Sequence, residues 1–452
     1  MPRPSASRLF VLLVVGVCTL TGTAQAVLPH DTPGREALAA GVVVAPQPIE
    51  RVVLRAPKAG LLRTGAAAAP EDAGLPLPER IRNALLRSGA TTVSAAVDVD
   101  GLGEVLRMDA AHPLPPASTQ KSFVSTAALL GLPPGYRWST DVAARTTPTA
   151  GRLPGGLWLV GGGDPYLTRT GLRGLARSVR ASGITYVTGD LLLDDSRYDA
   201  RRNVDGWKSD YVPEESGPLS SLAVDRNAFR RDRAFLTDPA VPIAQLFRDA
   251  LSAEGVVVHG VIRRNRRPAD ARAVASVQSG PVADVVRRLL KNSDNFAAEL
   301  VLKEVGRTVR GAGSSAAGTQ AMADLLRAQG VPTGPGTDGS GLSSRNRQQA
   351  TAQLLLLQAA ARDAAVGPAL RKALPIACRD GTLEKRMCNS AASGRLMAKT
   401  GTLPGVRALA GYTTTASGRA VQFSFVLTGV SDGTAARNAL DAAGIVLASA
   451  SE

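Results

Sequence analysis

The order of helix-like and strand-like patterns along the chain constrains its fold more than any other feature. Strand patterns at 91–99 and 103–108 are followed by a helical segment at 118–130 and then by a β-rich segment at 137–275. Later helices are expected at 281–290, 294–306, 317–328, 348–362 and 435–447, and later strands at 395–400, 406–415 and 420–427. This order predicts a mixed α/β (α+β) fold, in which one discontinuous domain carries a β-rich insertion.

The length of the chain agrees with this division. Its 452 residues exceed what one hydrophobic core usually serves, so more than one domain is expected. Residues 27–75 are rich in Ala, Pro, Gly and Arg and have weak periodicity, which predicts an extended or poorly ordered leader. We therefore place the two parts of the discontinuous domain at 76–136 and 276–452, on either side of an insertion at 137–275.

Residues 1–26 have the pattern of a secretory signal peptide. Arg3 and Arg8 precede an apolar run at 9–20, and the small-x-small sequence at 24–26 is typical of a cleavage site. An uncleaved anchor is the alternative, although the apolar run is shorter than the roughly 20 residues that a transmembrane helix needs. Lipid attachment at Cys18 is disfavoured because a valine precedes it. The sequence thus predicts export, with no stable membrane anchor, to a periplasmic or extracellular cell-wall space.

Cysteine and histidine usage narrows the chemistry. Removal of the signal would leave Cys378 and Cys388, and an even pair in an exported chain suggests a disulfide; the alternative is two unpaired thiols. The chain has only three histidines, at scattered positions, so a His-rich metal centre is nearly excluded and a Ser-His-Asp triad has few bases to use. We predict no metal and no cofactor.

A serine and a lysine at the start of the 118–130 helix are candidates for nucleophilic catalysis. Residues three apart share a helical face, so Lys121 can approach the Ser118 hydroxyl. Lysine can act as the base if desolvation lowers its pKa, whereas arginine does not deprotonate in proteins. Only eight of the 53 basic residues are lysines, which makes a lysine here more informative. The alternative is a serine that caps the helix and a solvated lysine.

Two further motifs strengthen the catalytic interpretation. Ser293-Asp294-Asn295 stands before an apolar helical run, and Lys399-Thr400-Gly401-Thr402 ends a predicted strand. Alone, the first could be another helix cap and the second an exposed strand end, and 344–346 offers a competing Ser-x-Asn sequence. In order, however, Ser-x-x-Lys, Ser-Asp-Asn and Lys-Thr-Gly form the signature of active-site serine penicillin-binding proteins and serine β-lactamases.

With these motifs the sequence resembles the D-alanyl-D-alanine carboxypeptidase/endopeptidase family of low-molecular-mass class C penicillin-binding proteins, peptidase family S13. The separation of 175 positions between Ser118 and Ser293 suits the inserted domains of this family. The resemblance covers roughly 76–450 and implies a β-lactamase/transpeptidase-like domain, with an antiparallel sheet flanked by helices. Further matches lie at 161–165, 189–191, 218–222, 225–227 and 338–343. The insertion is shorter than in larger members, which leaves the form of its smaller subdomain open.

The resemblance also implies catalytic roles. Ser118 would attack the carbonyl of the penultimate D-alanine while Lys121 accepts its proton, and Ser293, held near both lysines, would relay a proton to the leaving amine. The backbone N–H groups of Ser118 and Thr402 would form the oxyanion hole. The acyl-enzyme would then be hydrolysed.

Substrate binding is implied in the same way. Asn295 would bind the substrate amide and help to fix Lys121, and Lys399, Thr400 and Thr402 would hold the terminal carboxylate. The expected partners are peptidoglycan stem peptides that end in D-Ala-D-Ala, and β-lactam antibiotics, which would acylate Ser118. Apart from the resemblance, the Gly-Asp-Pro and Gly-Ser-Gly stretches are typical of turns, and Asp338 and Ser340 would support the site from behind.

Other classes of function remain as alternatives. A serine β-lactamase would need a deacylating Glu-x-x-Leu-Asn loop, which the sequence lacks, and a non-catalytic β-lactam-sensing or wall-binding protein would not need the intact motifs. The basic runs at 230–233 and 263–267 read as solvated loops, or as attractors of anionic wall polymers. No zinc-finger spacing or aromatic-basic interleaving supports nucleic-acid binding. The balance between carboxypeptidase and endopeptidase, the preferred diamino acid and the oligomeric state stay open.

Overall fold

The structure is a computed structural model, and it describes residues 74–229 and 232–451. The predicted signal peptide at 1–26 and nearly all of the predicted leader at 27–75 lie outside the described residues, as do Arg230 and Arg231 of the first basic run. In the part of the chain that is described, no helix has both the length and the apolar character needed to cross a membrane.

Strands and helices occur in runs along the described chain. The strands are β1 (Thr92–Val99), β2 (Gly103–Met108), β3 (Ser139–Ala144), β4 (Arg152–Leu153), β5 (Leu157–Val160), β6 (Tyr186–Val187), β7 (Leu191–Asp194), β8 (Val257–Val258), β9 (Ile262–Arg264), β10 (Arg272–Gln278), β11 (Met397–Leu403), β12 (Val406–Thr414) and β13 (Ala420–Thr428). The helices are α1 (Leu77–Leu86), α2 (Gln120–Gly131), α3 (Arg169–Ala181), α4 (Tyr211–Glu214), α5 (Arg233–Thr237), α6 (Ala240–Ala253), α7 (Val282–Asn292), α8 (Asn295–Arg310), α9 (Ser315–Ala328), α10 (Ala350–Arg362), α11 (Val366–Ala373) and α12 (Gly433–Ser449).

The main sheet joins the two ends of the described chain. Its five strands run in the order β11-β12-β13-β1-β2, and all neighbouring pairs are antiparallel. The contact between β1 and β13 pairs Thr92 with Thr428, so residues far apart in sequence form the centre of the sheet. Strand β11 lies at an edge, which leaves one side of its backbone without a neighbouring strand.

Helices cover both faces of the main sheet, because its strands carry apolar side chains on both faces. On one face Phe423 and Phe425 of β13 pack with Leu440 and Leu447 of α12 and Ile81 of α1. A second core, formed mainly by α2, α7, α8, α9, α10 and α11, lies around Phe123 and Val301. The Ser-x-x-Lys, Ser-Asp-Asn and Lys-Thr-Gly motifs lie where this helical core meets the sheet.

The β-rich insertion is confirmed. Residues between α2 and α7 form a five-stranded sheet in the order β10-β3-β5-β7-β9 and a small parallel sheet in the order β4-β6-β8. Apolar faces of α3 and α6 pack against these strands around Leu159, Leu175 and Phe247. The exact boundaries at 137 and 275 stay a prediction.

The interpretation of 263–267 as a solvated loop was wrong in part. Arg263 and Arg264 lie on β9, where Arg263 forms an ion pair with Asp190 at 2.9 Å. Arg264 pairs with Asp195 at 2.9 Å and with Asp238 at 2.8 Å. Arg263 and Arg264 of this basic run therefore hold the edge strand of the insertion through ion pairs.

The segment between α11 and β11 is irregular and carries a disulfide. Cys378 and Cys388 are bonded, with their Cα atoms 4.9 Å apart. The bond closes a short loop that lies before the Lys-Thr-Gly strand. Thr382 lies within this loop and forms a hydrogen bond with Thr400. The sequence did not predict this contact.

Candidate active site

Ser118 lies in a tight turn that leads into α2. A single 3₁₀ turn spans Ala117–Thr119, and the α-helix starts at Gln120 rather than at the serine as predicted. Ala117 has a φ of 49°, a left-handed conformation that costs energy for a residue with a Cβ. The strained turn and the helix that follows place the Ser118 hydroxyl beside Lys121.

Lys121 is the centre of the site. Its Nζ donates to Ser118 Oγ at 3.0 Å, to Asn295 Oδ1 at 2.7 Å and to the Ser340 carbonyl at 2.5 Å. All three partners are neutral groups, and no carboxylate forms an ion pair with Lys121 among the described residues. The side chain is fully buried.

Burial decides the protonation of this lysine. Desolvation lowers the pKa of Lys121 to about 8, although nearby carboxylates oppose the shift. These carboxylates belong to Asp338, Glu299, Asp294 and Glu215. A lysine with such a pKa exists partly as the free amine near neutral pH, and a free amine can accept a proton from a serine.

Ser293 and Asn295 lie at the junction between α7 and α8. Ser293 ends α7 with a φ of 53°, and Asp294 caps α8 by accepting from Ala297 N at 3.0 Å. The alternative in which Ser293 caps the start of α8 was therefore wrong, because Asp294 is that cap and Ser293 is the C-cap of α7. The Ser293 hydroxyl accepts a hydrogen bond from Lys399 instead.

Lys399 completes the polar cluster from the edge of the sheet. Its Nζ donates to Ser293 Oγ at 2.9 Å and to the Thr400 carbonyl at 2.8 Å. Burial and the charge of Lys121 hold the pKa of Lys399 well below its usual range. Ser293 was expected near both lysines; the described hydrogen bonds link it to Lys399, and Lys121 contacts Asn295 instead.

The two threonines of the last motif have different surroundings. Thr400 is half-buried and its Oγ1 donates to Thr382 Oγ1 at 2.9 Å, whereas the Thr402 side chain is exposed. Both belong to β11, which continues to Leu403, so the motif lies within the strand and not at its end as predicted. Alternate residues of a strand share a face, so Thr400 and Thr402 point the same way.

Gly401 allows β11 to pack closely against the 3₁₀ turn that contains Ser118. A Cβ on this residue would lie 3.0 Å from the Pro116 carbonyl oxygen, 3.2 Å from the Ala117 Cβ and 2.9 Å from the Ala408 Cβ. These distances leave no room for a side chain unless the strand or the turn moves. Glycine is therefore needed here for close approach.

We expect Gly401→Ala to push β11 away from the Ser118 turn. Crowding should lower the free energy of unfolding by about 1–3 kcal/mol and slow acylation of Ser118. Gly174→Ala is the control, because a Cβ there meets nothing within 4 Å on the exposed side of α3. Melting temperature and labelling rate measure both effects; equal results for the two variants would contradict the close-packing argument.

Asp338 organises a buried loop beneath Lys121. Its carboxylate accepts from Trp207 Nε1 at 2.8 Å, Ser340 Oγ at 3.0 Å, Ser343 N at 2.8 Å and Asn346 Nδ2 at 2.5 Å. Asn346, which belongs to the competing Ser-x-Asn sequence, is thus structural. The supporting roles expected for Asp338 and Ser340 agree with these contacts.

Sequence reasoning missed Glu299, Trp207 and Thr382. Glu299 had a recognisable signal, since it is a lone acid in the apolar run at 296–302, one helical turn after Asn295. Trp207 and Thr382 lie in irregular segments, where no periodicity marks them. No group of three or more His, Cys, Asp or Glu side chains that could hold a metal occurs within the described ranges.

Comparison with known proteins identifies the family. Residues 86–234 and 232–450 match the family described as D-Ala-D-Ala carboxypeptidase 3 (S13). This chain belongs to the S13 family. The resemblance inferred from the motifs is therefore confirmed.

Two curated relatives match most of this chain. A D-alanyl-D-alanine carboxypeptidase of Actinomadura sp. (strain R39) is 30% identical over 405 residues, covering 72% of this chain and 75% of that protein. The carboxypeptidase DacB of Mycolicibacterium smegmatis is 31% identical over 415 residues, covering 84% of this chain and 86% of that protein. The similarity thus extends over most of the S13 chain.

A solved structure shares the fold. Penicillin binding protein 4 (dacB) of Haemophilus influenzae superposes with a TM-score of 0.70 at 22% identity, covering 80% of this chain and 98% of that one. A second structure of that protein contains a β-lactam and superposes with a TM-score of 0.66. These likenesses confirm the predicted fold, a transpeptidase-like domain with a β-rich insertion.

Proposed function

We propose that this S13 protein is a serine-type D-Ala-D-Ala carboxypeptidase that trims peptidoglycan stem peptides through an acyl-enzyme on Ser118. The observation that carries the proposal is the hydrogen bond between Lys121 Nζ and the Ser118 hydroxyl at 3.0 Å. This lysine is buried and forms no ion pair with a carboxylate among the described residues. A base and a nucleophile within hydrogen-bond reach are what nucleophilic catalysis requires. Family membership supplies the reaction class.

Acylation would begin with proton transfer from Ser118 Oγ to the free amine of Lys121. The Oγ then bonds to the carbonyl carbon of the penultimate D-alanine, and the backbone N–H groups of Ser118 and Thr402 would stabilise the oxyanion. Collapse of the tetrahedral intermediate breaks the peptide bond. Ser293 would receive the proton that Lys121 took from Ser118 and pass it to the departing D-alanine amine, which restores the free amine of Lys121. Water would later hydrolyse the acyl-enzyme.

Lys399 would hold the substrate carboxylate. This lysine is buried without an ion-pair partner in the described structure, so a bound carboxylate would supply the missing negative charge. Thr400 and Thr402 share a face of β11 and would add hydroxyl donors. β-Lactams present a strained amide beside a carboxylate, so the same groups would guide them to Ser118. The β-lactam complex of the Haemophilus influenzae protein supports this.

Acylation should depend on pH through Lys121. Only the deprotonated amine can accept the serine proton, so the acylation rate should rise with pH, with a midpoint near the pKa of about 8. Stopped-flow measurement of fluorescent-penicillin acylation across about pH 6 to 10 checks this. A rate that does not change over this range would exclude Lys121 as the titrating base.

Release of D-alanine tests the function directly. The mature protein should liberate D-alanine from an acyl-D-Ala-D-Ala peptide, and pre-treatment with penicillin should stop the release. Cleavage of a cross-linked muropeptide would add endopeptidase activity. Labelling without either product would favour the β-lactam-sensing alternative, and rapid turnover of penicillin alone would favour a β-lactamase.

The location follows from the proposed substrate. Stem peptides are outside the cytoplasmic membrane, and the signal pattern at 1–26 together with the Cys378–Cys388 disulfide agrees with export. We therefore place the protein in a periplasmic or extracellular cell-wall space, without cofactor or metal.

A further inference from the structure

A buried carboxyl group that the proposed mechanism does not use lies directly behind the site. Glu299 is four residues after Asn295 on α8, and its side chain is completely buried. No arginine or lysine forms an ion pair with it among the residues that the structure describes. A buried carboxyl without a cation is costly, so its retention in an apolar helix face needs an explanation.

The contacts of Glu299 lead to the catalytic lysine. Its Oε1 accepts from Gly339 N at 3.0 Å and from Ser340 N at 2.7 Å, while its Oε2 has no hydrogen-bond partner in the described structure. The Ser340 carbonyl in turn accepts from Lys121 Nζ at 2.5 Å. The peptide backbone at 339–340 is thus held on one side by Glu299 and contacts Lys121 on the other.

We propose that Glu299 is a positioning residue for Lys121, acting through the backbone of Gly339 and Ser340. By fixing this backbone, the carboxyl aims the Ser340 carbonyl at Lys121 and keeps Nζ within reach of Ser118 Oγ. The inference rests on the proposed function, since it takes Lys121 as the base. Asp338 holds the other side of the same loop through Gly341 N at 2.9 Å.

A neutral acid suits this position better than a charged one. Burial, with the charge of Asp338, raises the pKa of Glu299 to about 8, so the group is mainly protonated at neutral pH. A neutral carboxyl still accepts two N–H bonds but places no negative charge beside Lys121. Ionised Glu299 would raise the pKa of Lys121 and hold that lysine in its protonated, inactive form.

The other charged groups around Glu299 and Lys121 come from four segments of the chain. Asp338 from the buried loop acts on both Glu299 and Lys121. Asp294 at the start of α8 and Glu215 near Asn295 add negative charge on the Lys121 side. Lys399 on β11 contributes the opposite charge, and the two lysines repel each other. None of these groups contacts the 339–340 backbone as Glu299 does.

Glutamine and alanine variants of Glu299 distinguish positioning of Lys121 from a purely structural role. Glu299→Gln keeps an oxygen acceptor but cannot ionise, so acylation by fluorescent penicillin should fall only about two- to fivefold. Its pH midpoint should move to lower pH, because the competing negative charge cannot form. Glu299→Ala removes the acceptor and should lower the acylation rate at least about tenfold.

Glu304→Gln is the matched control. Glu304 is also a buried glutamate of α8, but it forms ion pairs with Arg197 at 2.9 Å and Arg307 at 2.8 Å, away from Lys121. Loss of that charge should lower the melting temperature and leave the pH midpoint of acylation in place. All rates are measured below the melting temperature of every variant.

The outcomes distinguish the two proposals. A Glu299→Gln acylation rate that falls by more than about tenfold, although an oxygen acceptor is retained, overturns the positioning role of Glu299. A Glu299→Gln midpoint equal to that of the unmodified protein, or an equal midpoint shift in Glu304→Gln, overturns its effect on the charge of Lys121. The Gln variant carries this test even if Glu299→Ala does not fold. If the unmodified protein is not labelled on Ser118 at all, the proposed function fails and this inference falls with it.

Discussion

Ser118→Ala is expected to abolish covalent labelling by fluorescent penicillin and to lower D-alanine release by roughly four to six orders of magnitude. The reason is that no other hydroxyl replaces Ser118 beside Lys121: the other two groups that accept from Lys121 Nζ are an amide oxygen and a backbone carbonyl. Substrate binding through Lys399 should survive. Gel fluorescence, mass spectrometry of the labelled peptide and an assay of D-alanine release measure these effects.

Helix α2, which follows the Ser118 turn, provides a control for this variant. Ser122 is a buried serine one turn further along α2, and its hydroxyl has no hydrogen-bond partner in the described structure. Ser122→Ala should therefore keep both labelling and D-alanine release. Labelling that persists in Ser118→Ala, or a label found on a different serine, would show that the nucleophile has been misassigned.

Lys121→Arg is the second variant with a large expected effect. The substitution keeps a positive charge but removes the ability to deprotonate, since the guanidinium pKa is far above the working range. We expect the acylation rate to fall by roughly 10² to 10⁴, with no recovery at higher pH. Stopped-flow acylation between about pH 6 and 10 and D-alanine release report the loss.

Two comparisons protect this test against misfolding. Lys121→Met removes the base without forcing a bulky cation into the buried site, and should lose a similar amount of activity. Lys291→Arg is the matched control, because Lys291 is held by Asp380 at 2.6 Å, in an ion pair that arginine can also form. Substantial acylation in Lys121→Arg that rises with pH would mean that another group accepts the serine proton.

Sequence patterns located most elements because their physical causes are local. The alternation at 91–99 and the helical periodicity at 294–306 are properties of short segments. Strand Thr92–Val99 and helix Asn295–Arg310 occur at these positions, and the helix runs four residues further than predicted. Helix α11 was missed because Gly367 and Pro368 near its start resemble a loop. The pairing of β1 with β13 was beyond such reasoning, because nothing local determines which distant strand becomes a neighbour.

The candidate site was predictable in its residues but not in its connections. Ser118, Lys121 and Asn295 were named from the sequence, and the structure brings them into one cluster. The left-handed conformation of Ser293 was not foreseen, since serine usually caps helices and rarely adopts this backbone. Glu299 acts on Lys121 through two backbone groups, and backbone contacts leave little trace in residue identity.

The antiparallel pairing of β1 with β13 bears on when the protein can become active during its synthesis. The residues that face each other there, such as Thr92 and Thr428, are separated by most of the chain, and two early strands alone make only a marginal hairpin. Contacts of such long range form late in folding. Strand β11, which carries Lys399, joins the sheet only through β12 and β13. Ser118 should therefore be synthesised long before the site around it can form. The chain should react with penicillin only after its last strands have been made and have joined the sheet.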